Sequence, residues 1–352
     1  MDVYALDKDF NILDICDDYK SIIWTTRYFT PGDFELYLPA TENNINLLLS
    51  AAYLVRDKDI SDGTFKNVMR PKKFNIVTSI DDGNYLTVTG PCIKSILGQR
   101  IVWQQTTLSG KVEAGIRKVV DENAINPSIS ARKISKLVLG AIKGFSETMK
   151  KQATGTNLSE FVADVCTAYG IGWDVFIKDK KFVFELYKGK DRSYAQDVNP
   201  HVVFSQEFDN FLSSDYTLDK TKYKNVALVA GEGEGLDRKR VSVGNVSDLD
   251  RYEIYIDSRD SSTNDGEITE EEYNNMLAEE GAETLSSDDC TVAEHIDAEI
   301  ETLSNYEFGV DYFLGDIVEV INEYGIETTP RIIEVIESED ENGTSTIPTF
   351  SS

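Results

Sequence analysis

The sequence predicts a mainly β protein with an α+β insertion, arranged as two small β-barrels with the α+β unit between them. Three observations carry that reading. Short runs of alternating apolar residues, separated by turn residues, fill residues 1 to about 103 and return from His201 onward. At Thr106 the periodicity switches to helical spacing mixed with one hairpin. Charge changes along the same axis: residues 111–192 carry 15 bases and 10 acids, whereas residues 245–352 carry 30 acids against Arg251, Arg259 and Arg331. The implied boundaries are 1–104 for the first barrel, 105–200 for the α+β domain and 201–352 for the second barrel, with a helical insertion near 269–286.

In the first segment, "VYALDKDFNILDICD" gives two short strands around the turn-forming "DKD". "SIIWTTRYFTPGDFELYLPA" reads as a strand, a Pro31–Gly32 turn and a second strand alternating at Phe34, Leu36 and Leu38. "NINLLLSA" is a short helix and "YLVRD" a strand. "KKFNIVTSIDDGNYLTVTGPC" is a hairpin whose Asp82–Gly83 corner favours positive φ. Short strands at this spacing fit a small barrel or sandwich.

In the middle segment, "SGKVEAGIRKVVDENAI" places Val112, Ile116, Val119 and Val120 on one helical face, with Ser109 as the expected N-cap. "ISKLVLGAI" is apolar and fits strand or helix. "TNLSEFVADVCTAYGIG" predicts a helix capped by Thr156 or Asn157, with Leu158, Phe161, Val162 and Val165 inward and Gly170 ending it. "WDVFIKDKKFVFELY" is a hairpin in which Trp173, Val175 and Ile177 alternate against Phe182, Phe184 and Leu186.

From His201 the β pattern returns through "HVVFS", "FLSSDYTLD", "YKNVALVAGEG", "KRVSVG" and "YEIYIDS". A polar loop at 260–268 leads into the helix "EEEYNNMLAEEGAETL", where Thr269 and Glu272 make a capping box. The last strands come from "TVAEHIDAEIET", "DIVEVINEYGIETTPRIIEVIESED" and the tail. DIVEVIN and RIIEVIE are expected to close a second barrel on the strands after His201.

At 352 residues the chain is long enough for two or three domains, and 16 Phe with 17 Tyr supply its cores. No run approaches the ~20 apolar residues of a membrane span. "MDVYALDKDFNIL" carries acids where a secretory leader carries lysines, so a soluble chain made in the cytoplasm is expected. The net charge of −27 arises in the final third, since residues 1–244 balance at 32 bases and 32 acids. A surface of that sign repels nucleic acid rather than gripping it.

Cys16, Cys92, Cys166 and Cys290 lie far apart and the chain has two histidines, which leaves no zinc set and predicts four buried free thiols. "YKNVALVAGEGEG" ends a β run at Gly231, Gly233 and Gly235, as phosphate loops begin. It lacks the Lys-Ser/Thr pair of a Walker loop, and Glu232 and Glu234 would repel an anion. These glycines therefore read as a sharp bend between two strands. "DKDISDG" and "STNDGEITEEE" fall short of a calcium loop: Gly63 is displaced by one, Val68 stands at the closing position, and Ser261 precedes Asp265–Gly266 where the first aspartate belongs. His201 and His295 are too few for a triad, and no G-x-S-x-G occurs. Carboxylates abound in the last third without any pair being singled out. No catalytic, cofactor-binding or metal-binding residue is expected.

"SIIWTTRYFTPGDFELYLPA", "LTVTGPCIKSILGQRIV", "FELYKGKDRS", "VVFSQEFDNFLSSDYTLDKTKYKNVALVAGEGEG" and "FGVDYFLGDIVEV" follow one another in an order that resembles a family of phage tail proteins. These are the siphovirus tail-hub proteins of the ReqiPepy6 type, related in fold to the baseplate hub of contractile tails. The resemblance covers essentially the whole chain. It implies two tube-like β-barrel domains of the baseplate-hub fold per chain, repeated three times into a pseudo-sixfold ring at the distal end of a tail. Such a ring joins the sixfold tube to the threefold tip and forms the channel for DNA ejection.

On this resemblance, Pro31, Gly32, Phe34, Glu35, Pro39, Asp191, Arg192, Gly231, Gly233, Gly235, Gly315 and Asp316 are structural motif positions. Pro31–Gly32 and Gly315–Asp316 are corresponding turns leading into Phe34–Leu38 and Ile317–Ile321, and "KGKDRS" joins the α+β unit to the second barrel. The implied partners are further copies in a homotrimer, a distal tail or tail-tube protein, a tape-measure protein, and receptor-binding or fibre proteins. Genomic DNA passes the lumen without specific binding, no cofactor is implied, and the location is the tail tip of the virion. Because the chain ends at "ENGTSTIPTFSS", receptor binding and wall cleavage are expected from other proteins. Two other readings stay open: the hub of a phage-tail-like contractile injection particle, and a tail-tip enzyme acting on the cell wall.

Overall fold

The computed structural model describes residues 1–79, 83–208, 210, 213–263, 268–287, 289–299, 306–322 and 324–351. The first segment runs β1 (Val3–Leu6), β2 (Ile12–Cys16), β3 (Ser21–Arg27), β4 (Asp33–Pro39), α1 (Glu42–Ser50), β5 (Tyr53–Arg56), the two-residue strands β6 (Ile60–Ser61) and β7 (Thr64–Phe65), and the hairpin β8 (Lys73–Ser79) to β9 (Gly83–Pro91). Phe34, Leu36 and Leu38 alternate inward along β4 as their spacing requires. Thr41 caps α1 by accepting the Asn44 amide at 3.1 Å. Gly83 adopts φ +89°, and Asp82 before it lies outside the described residues.

The middle segment comprises β10 (Thr106–Lys111), α2 (Val112–Val120), β11 (Leu137–Leu139), β12 (Thr148–Ala153), α3 (Leu158–Ala168), β13 (Gly172–Lys178) and β14 (Lys181–Tyr187). The inward faces of α2 and α3 are those the spacing names. Ser109 does not cap α2: it lies in β10 opposite Lys150, and the helix starts directly from the strand. The first helical amide, that of Val112, donates to Glu147 O at 3.0 Å. Asn157 is the cap of α3, accepting the Ser159 amide at 2.9 Å, and Gly170 at φ +60° follows the helix. "ISKLVLGAI" resolves as a strand, β11, parallel to β14. The β13–β14 hairpin turns through Asp179 and Lys180, both at positive φ, as a tight two-residue corner demands.

The last segment holds β15 (Val203–Ser205), β16 (Ser213–Asp219), β17 (Val226–Ala230), β18 (Arg240–Val243), β19 (Glu253–Asp257), α4 (Glu270–Leu285), β20 (Ala293–Glu299), β21 (Glu319–Ile321), β22 (Glu327–Thr328), β23 (Arg331–Asp340) and β24 (Gly343–Ser351). The capping box of α4 forms in both directions, Glu272 N to Thr269 Oγ1 at 3.2 Å and Thr269 N to Glu272 Oε2 at 3.0 Å. Tyr273 and Leu277 of α4 pack on Ala227 and Val229 of β17. Asp265 and Gly266 lie outside the described residues.

The strands do not, among the described residues, close into two separate barrels. Among the described residues the sheets are open, and the largest has eight strands in the order β16-β20-β24-β23-β3-β4-β9-β8. It runs through both ends of the chain because β3 pairs antiparallel with β23, from Arg27 opposite Glu334 to Ile22 opposite Glu339. Arg27 also forms an ion pair with Glu334 across that seam. DIVEVIN does join a strand after His201, since β21 pairs in parallel with β15, but in a separate three-stranded sheet with β22. Alternation names the buried face of a strand, but each strand also has two hydrogen-bonding edges whose partners the pattern leaves open.

The largest core joins the first and middle segments, with Leu6, Val55, Ile93 and Leu97 packed among Ile116, Phe161, Trp173 and Phe184. A second gathers Trp24, Phe34, Leu36 and Val88, and a third gathers Phe204, Tyr312, Val320, Ile332 and Phe350. All four cysteines are buried free thiols. No helix among the described residues is long and apolar enough to cross a membrane.

Candidate functional site

The three segments meet at Tyr28, which follows β3 and is fully buried. Its amide donates to Ile333 O at 2.8 Å, tying it to β23. Its hydroxyl lies 3.3 Å from both Gly170 O and Tyr187 O and accepts the Gly189 amide at 3.3 Å. Burial, partly offset by Arg331, holds the phenol above its ordinary pKa, so it stays a neutral donor. The Arg331 guanidinium lies 5.6 Å from the ring centroid. Close approach explains two glycines here: a Cβ on Gly172 would fall 2.1 Å from the Tyr28 ring, and one on Gly315 2.2 Å from it.

Gly315 leads directly to Asp316, and here the exit from the α+β unit is stitched to the turn that leads into β21. Asp316 Oδ2 accepts from Arg192 Nε at 2.6 Å, and Oδ1 accepts the Lys190 amide at 2.6 Å. Arg192 and Asp316 are both buried. The backbone continues the seam, with Arg192 N to Ile317 O at 2.7 Å and Ile317 N to Lys190 O at 2.9 Å. Gly315 O accepts from Arg331 Nη1 at 2.6 Å. On the other side of Tyr28, the buried Lys94 ammonium donates to Arg27 O at 2.8 Å and lies 4.5 Å from the Trp173 ring centroid. Burial pushes its pKa down. These groups spend their hydrogen bonds on carbonyls and amides of other segments. The arrangement is a rigid joint.

Asp191, Arg192, Gly315 and Asp316 are thus brought together, and the other motif positions lie elsewhere. Gly32 sits where a Cβ would be 2.0 Å from Thr25 O, at the close β3–β4 approach, and Pro31 O accepts from Arg27 Nη1 at 3.1 Å. Phe34 is buried beside Trp24, Glu35 is exposed on β4, and Pro39 ends that strand with its carbonyl accepting from Asn44 Nδ2 at 2.9 Å. Gly231, Gly233 and Gly235 form the connection from β17 to its antiparallel neighbour β18. Gly233 and Gly235 have positive φ, and a Cβ on Gly231 would lie 2.2 Å from the Tyr273 hydroxyl. They bend the ladder, as expected. Tyr28, Lys190, Gly172 and Arg331 were not singled out by the sequence. Their signal is relational: each matters for what a distant segment places against it.

A second seam joins the ends of the chain. Arg56 and Lys58 both pair with buried Glu337 of β23, Arg56 Nη1 at 2.7 Å, and Arg56 also reaches Asp59 at 2.6 Å. Burial alone would raise the Glu337 carboxyl, but Arg56 and Lys58 bring it below its ordinary value. Asp59, part of the calcium-like stretch, is therefore committed to arginine. Among the described residues no group of three or more His, Cys, Asp or Glu is placed to hold a metal ion.

A cleft of about 590 Å³ lies between β12, α3 and α4. Asp164, Glu280 and Glu283 line it, with Lys151 paired to Glu283. Burial raises both the Asp164 and the Glu280 carboxyl.

Residues 1–350 match the family described as Siphovirus ReqiPepy6 Gp37-like protein, and the chain belongs to that family. Its fold is similar to the tail protein from Neisseria meningitidis MC58, at 13% identity and TM-score 0.59 over 100% of this chain and 96% of that one. It is also similar to the 43 kDa tail protein of prophage MuSo2 from Shewanella oneidensis, at 13% identity and TM-score 0.57 over 99% and 98% of the two chains. Prophage tail protein gp18 from Listeria monocytogenes EGD-e aligns at 13% identity and TM-score 0.54, over 100% and 94%. A comparison with curated protein sequences gives no match.

Proposed function

We propose that the protein is a structural component of a phage tail, a homotrimeric hub at the distal tip that joins the sixfold tube to the threefold end and surrounds the channel for DNA. The observation that carries this reading is the open eight-stranded sheet, in which strands from the two ends of the chain lie side by side across the β3–β23 seam. Each chain then offers two tube-like halves, and three chains offer six. The sheet ends at β8 and β16, with Ile76 and Val77 half-exposed on β8. An open apolar edge is a liability on a monomer and a joint in a ring, where the β16 edge of the next copy covers it.

In this reading the α+β unit, 105–200, stands outside the ring, held to the sheet by Tyr28 and by the Arg192–Asp316 pair. The acidic last third lines part of the lumen, where a repulsive wall lets DNA slide. Tail-tube, tape-measure and receptor-binding or fibre proteins are the neighbours such a hub meets. That three tail proteins share the fold supports the assignment. Labelling intact tails with an antibody against the chain tests it. Signal confined to the tip is expected, and signal along the whole tube would contradict it.

A further inference from the structure

We propose that the surface around Trp103 is a docking face for a neighbouring copy of this chain, and that its occupant is that copy's Asp248–Leu249–Asp250 turn. The inference rests on the trimeric reading above. A threefold ring is closed by one heterologous contact, so every chain must carry two unlike faces that fit each other. Two exposed features here complement one another in charge and in apolar shape.

The first is basic and aromatic. Ile101, Trp103 and Ile129 are 40%, 52% and 43% exposed. The Arg132 guanidinium lies 4.8 Å from the Trp103 ring centroid and donates to Ile101 O at 2.6 Å. The Trp103 amide is held by Asn123 Oδ1 at 2.9 Å. Arg100 donates to Arg132 O, which brings a second guanidinium to the same face. Tryptophan and arginine fixed before any partner arrives are the usual anchors of an interface. In a chain of net charge −27 this positive face suits an acidic partner, and the last third of another copy is one.

The second is an acidic knob. Leu249 is 88% exposed, at the centre of a short 3₁₀ turn between Asp248 and Asp250. The turn is braced: Arg251 N donates to Asp248 O at 3.1 Å, Arg251 Nη1 to Val246 O at 2.8 Å, and Asn225 Nδ2 to Asp250 O at 2.7 Å. Asp248 takes φ +59°, an uncommon conformation for a residue with a side chain, which those bonds hold in place. A fixed leucine flanked by carboxylates fits an indole flanked by guanidiniums. The same sign of pairing already operates inside the chain, where Lys151 of β12 meets Glu283 of α4.

Cross-linking tests the contact. Trp103→Cys and Leu249→Cys are made as separate chains, mixed and oxidised; the native cysteines are buried. A disulfide-linked dimer is expected in the mixture and in neither chain alone. Independently, Leu249→Arg, at an exposed position, should weaken assembly roughly tenfold with the melting temperature of the monomer unchanged. A wild-type trimer whose mixed cysteine variants never link, or whose assembly ignores Leu249→Arg, overturns this contact and leaves the hub reading standing. A wild-type chain that is monomeric at every concentration overturns both.

Discussion

Arg192 and Asp316 form a buried ion pair, Nε to Oδ2 at 2.6 Å, across 124 residues of sequence. One lies on the exit from the α+β unit and the other on the turn into β21, so the charge pair reinforces the backbone hydrogen bonds that join the two. Removing one partner leaves a buried charge uncompensated, which costs roughly 3–5 kcal/mol. Asp316→Ala should lose about that much in urea denaturation, and Arg192→Met with Asp316→Leu should recover only part of it, because the Lys190 and Phe313 amides that Asp316 accepts stay unpaired. An Asp316→Ala chain as stable as wild type would contradict this account.

Gly315→Ala should be destabilising by ~2–4 kcal/mol. It combines the cost of a side chain at φ +92° with a Cβ driven to 2.2 Å from the Tyr28 ring. Gly172→Ala meets the same ring at ordinary φ and should lose less. Thermal melts of both variants check the order, and equal losses would remove the backbone argument at Gly315.

Phe34→Ala and Tyr312→Ala should each lose ~3–5 kcal/mol and fail to assemble, since both side chains are buried in cores. A Phe34→Ala chain that folds and assembles normally but no longer supports infection would mean that a site has been mistaken for packing.

The Glu337 carboxyl is held below its ordinary value of 4.5 in the folded chain. Its contribution to stability is therefore fully present above that value and is lost as pH falls through the lower, folded value. Below pH 4.5, wild type should lose stability more steeply than Glu337→Gln. Parallel acid denaturation curves for the two chains would rule the Arg56–Glu337–Lys58 cluster out as the cause.

Local order was legible in the residues. The β13–β14 hairpin, the inward faces of α2 and α3, the Thr269–Glu272 box and the bend at Gly231–Gly235 follow from periodicity, caps and turn chemistry that act within a few residues. Partner choice was not. The β3–β23 seam joins segments some 300 residues apart, and nothing in "SIIWTTR" says which strand will take its second edge. Ser109 failed as a cap because β10 runs on to Lys111 and pairs Ser109 with Lys150, a partner far along the chain. Of the joint, the family resemblance marked Asp191, Arg192, Gly315 and Asp316 but not Tyr28. One tyrosine among 17 carries no mark until Gly172 and Gly315 are seen against its ring.

Three copies bring three times −27 charges together, so assembly should loosen at very low salt and tighten as salt or divalent cations are added. Contacts such as that of Trp103 with Leu249 act at short range and are screened less than repulsion across an open lumen. Light scattering across a salt series reads the direction. Monotonic loosening with added salt would mean that attraction between unlike faces outweighs the repulsion of the acidic third.

Sedimentation of the purified chain across protein and salt concentration measures the number of copies in the assembly. A species of three times the chain mass is expected, with no accumulation of dimer. A monomer under every condition, or a stable dimer, would contradict the trimeric reading.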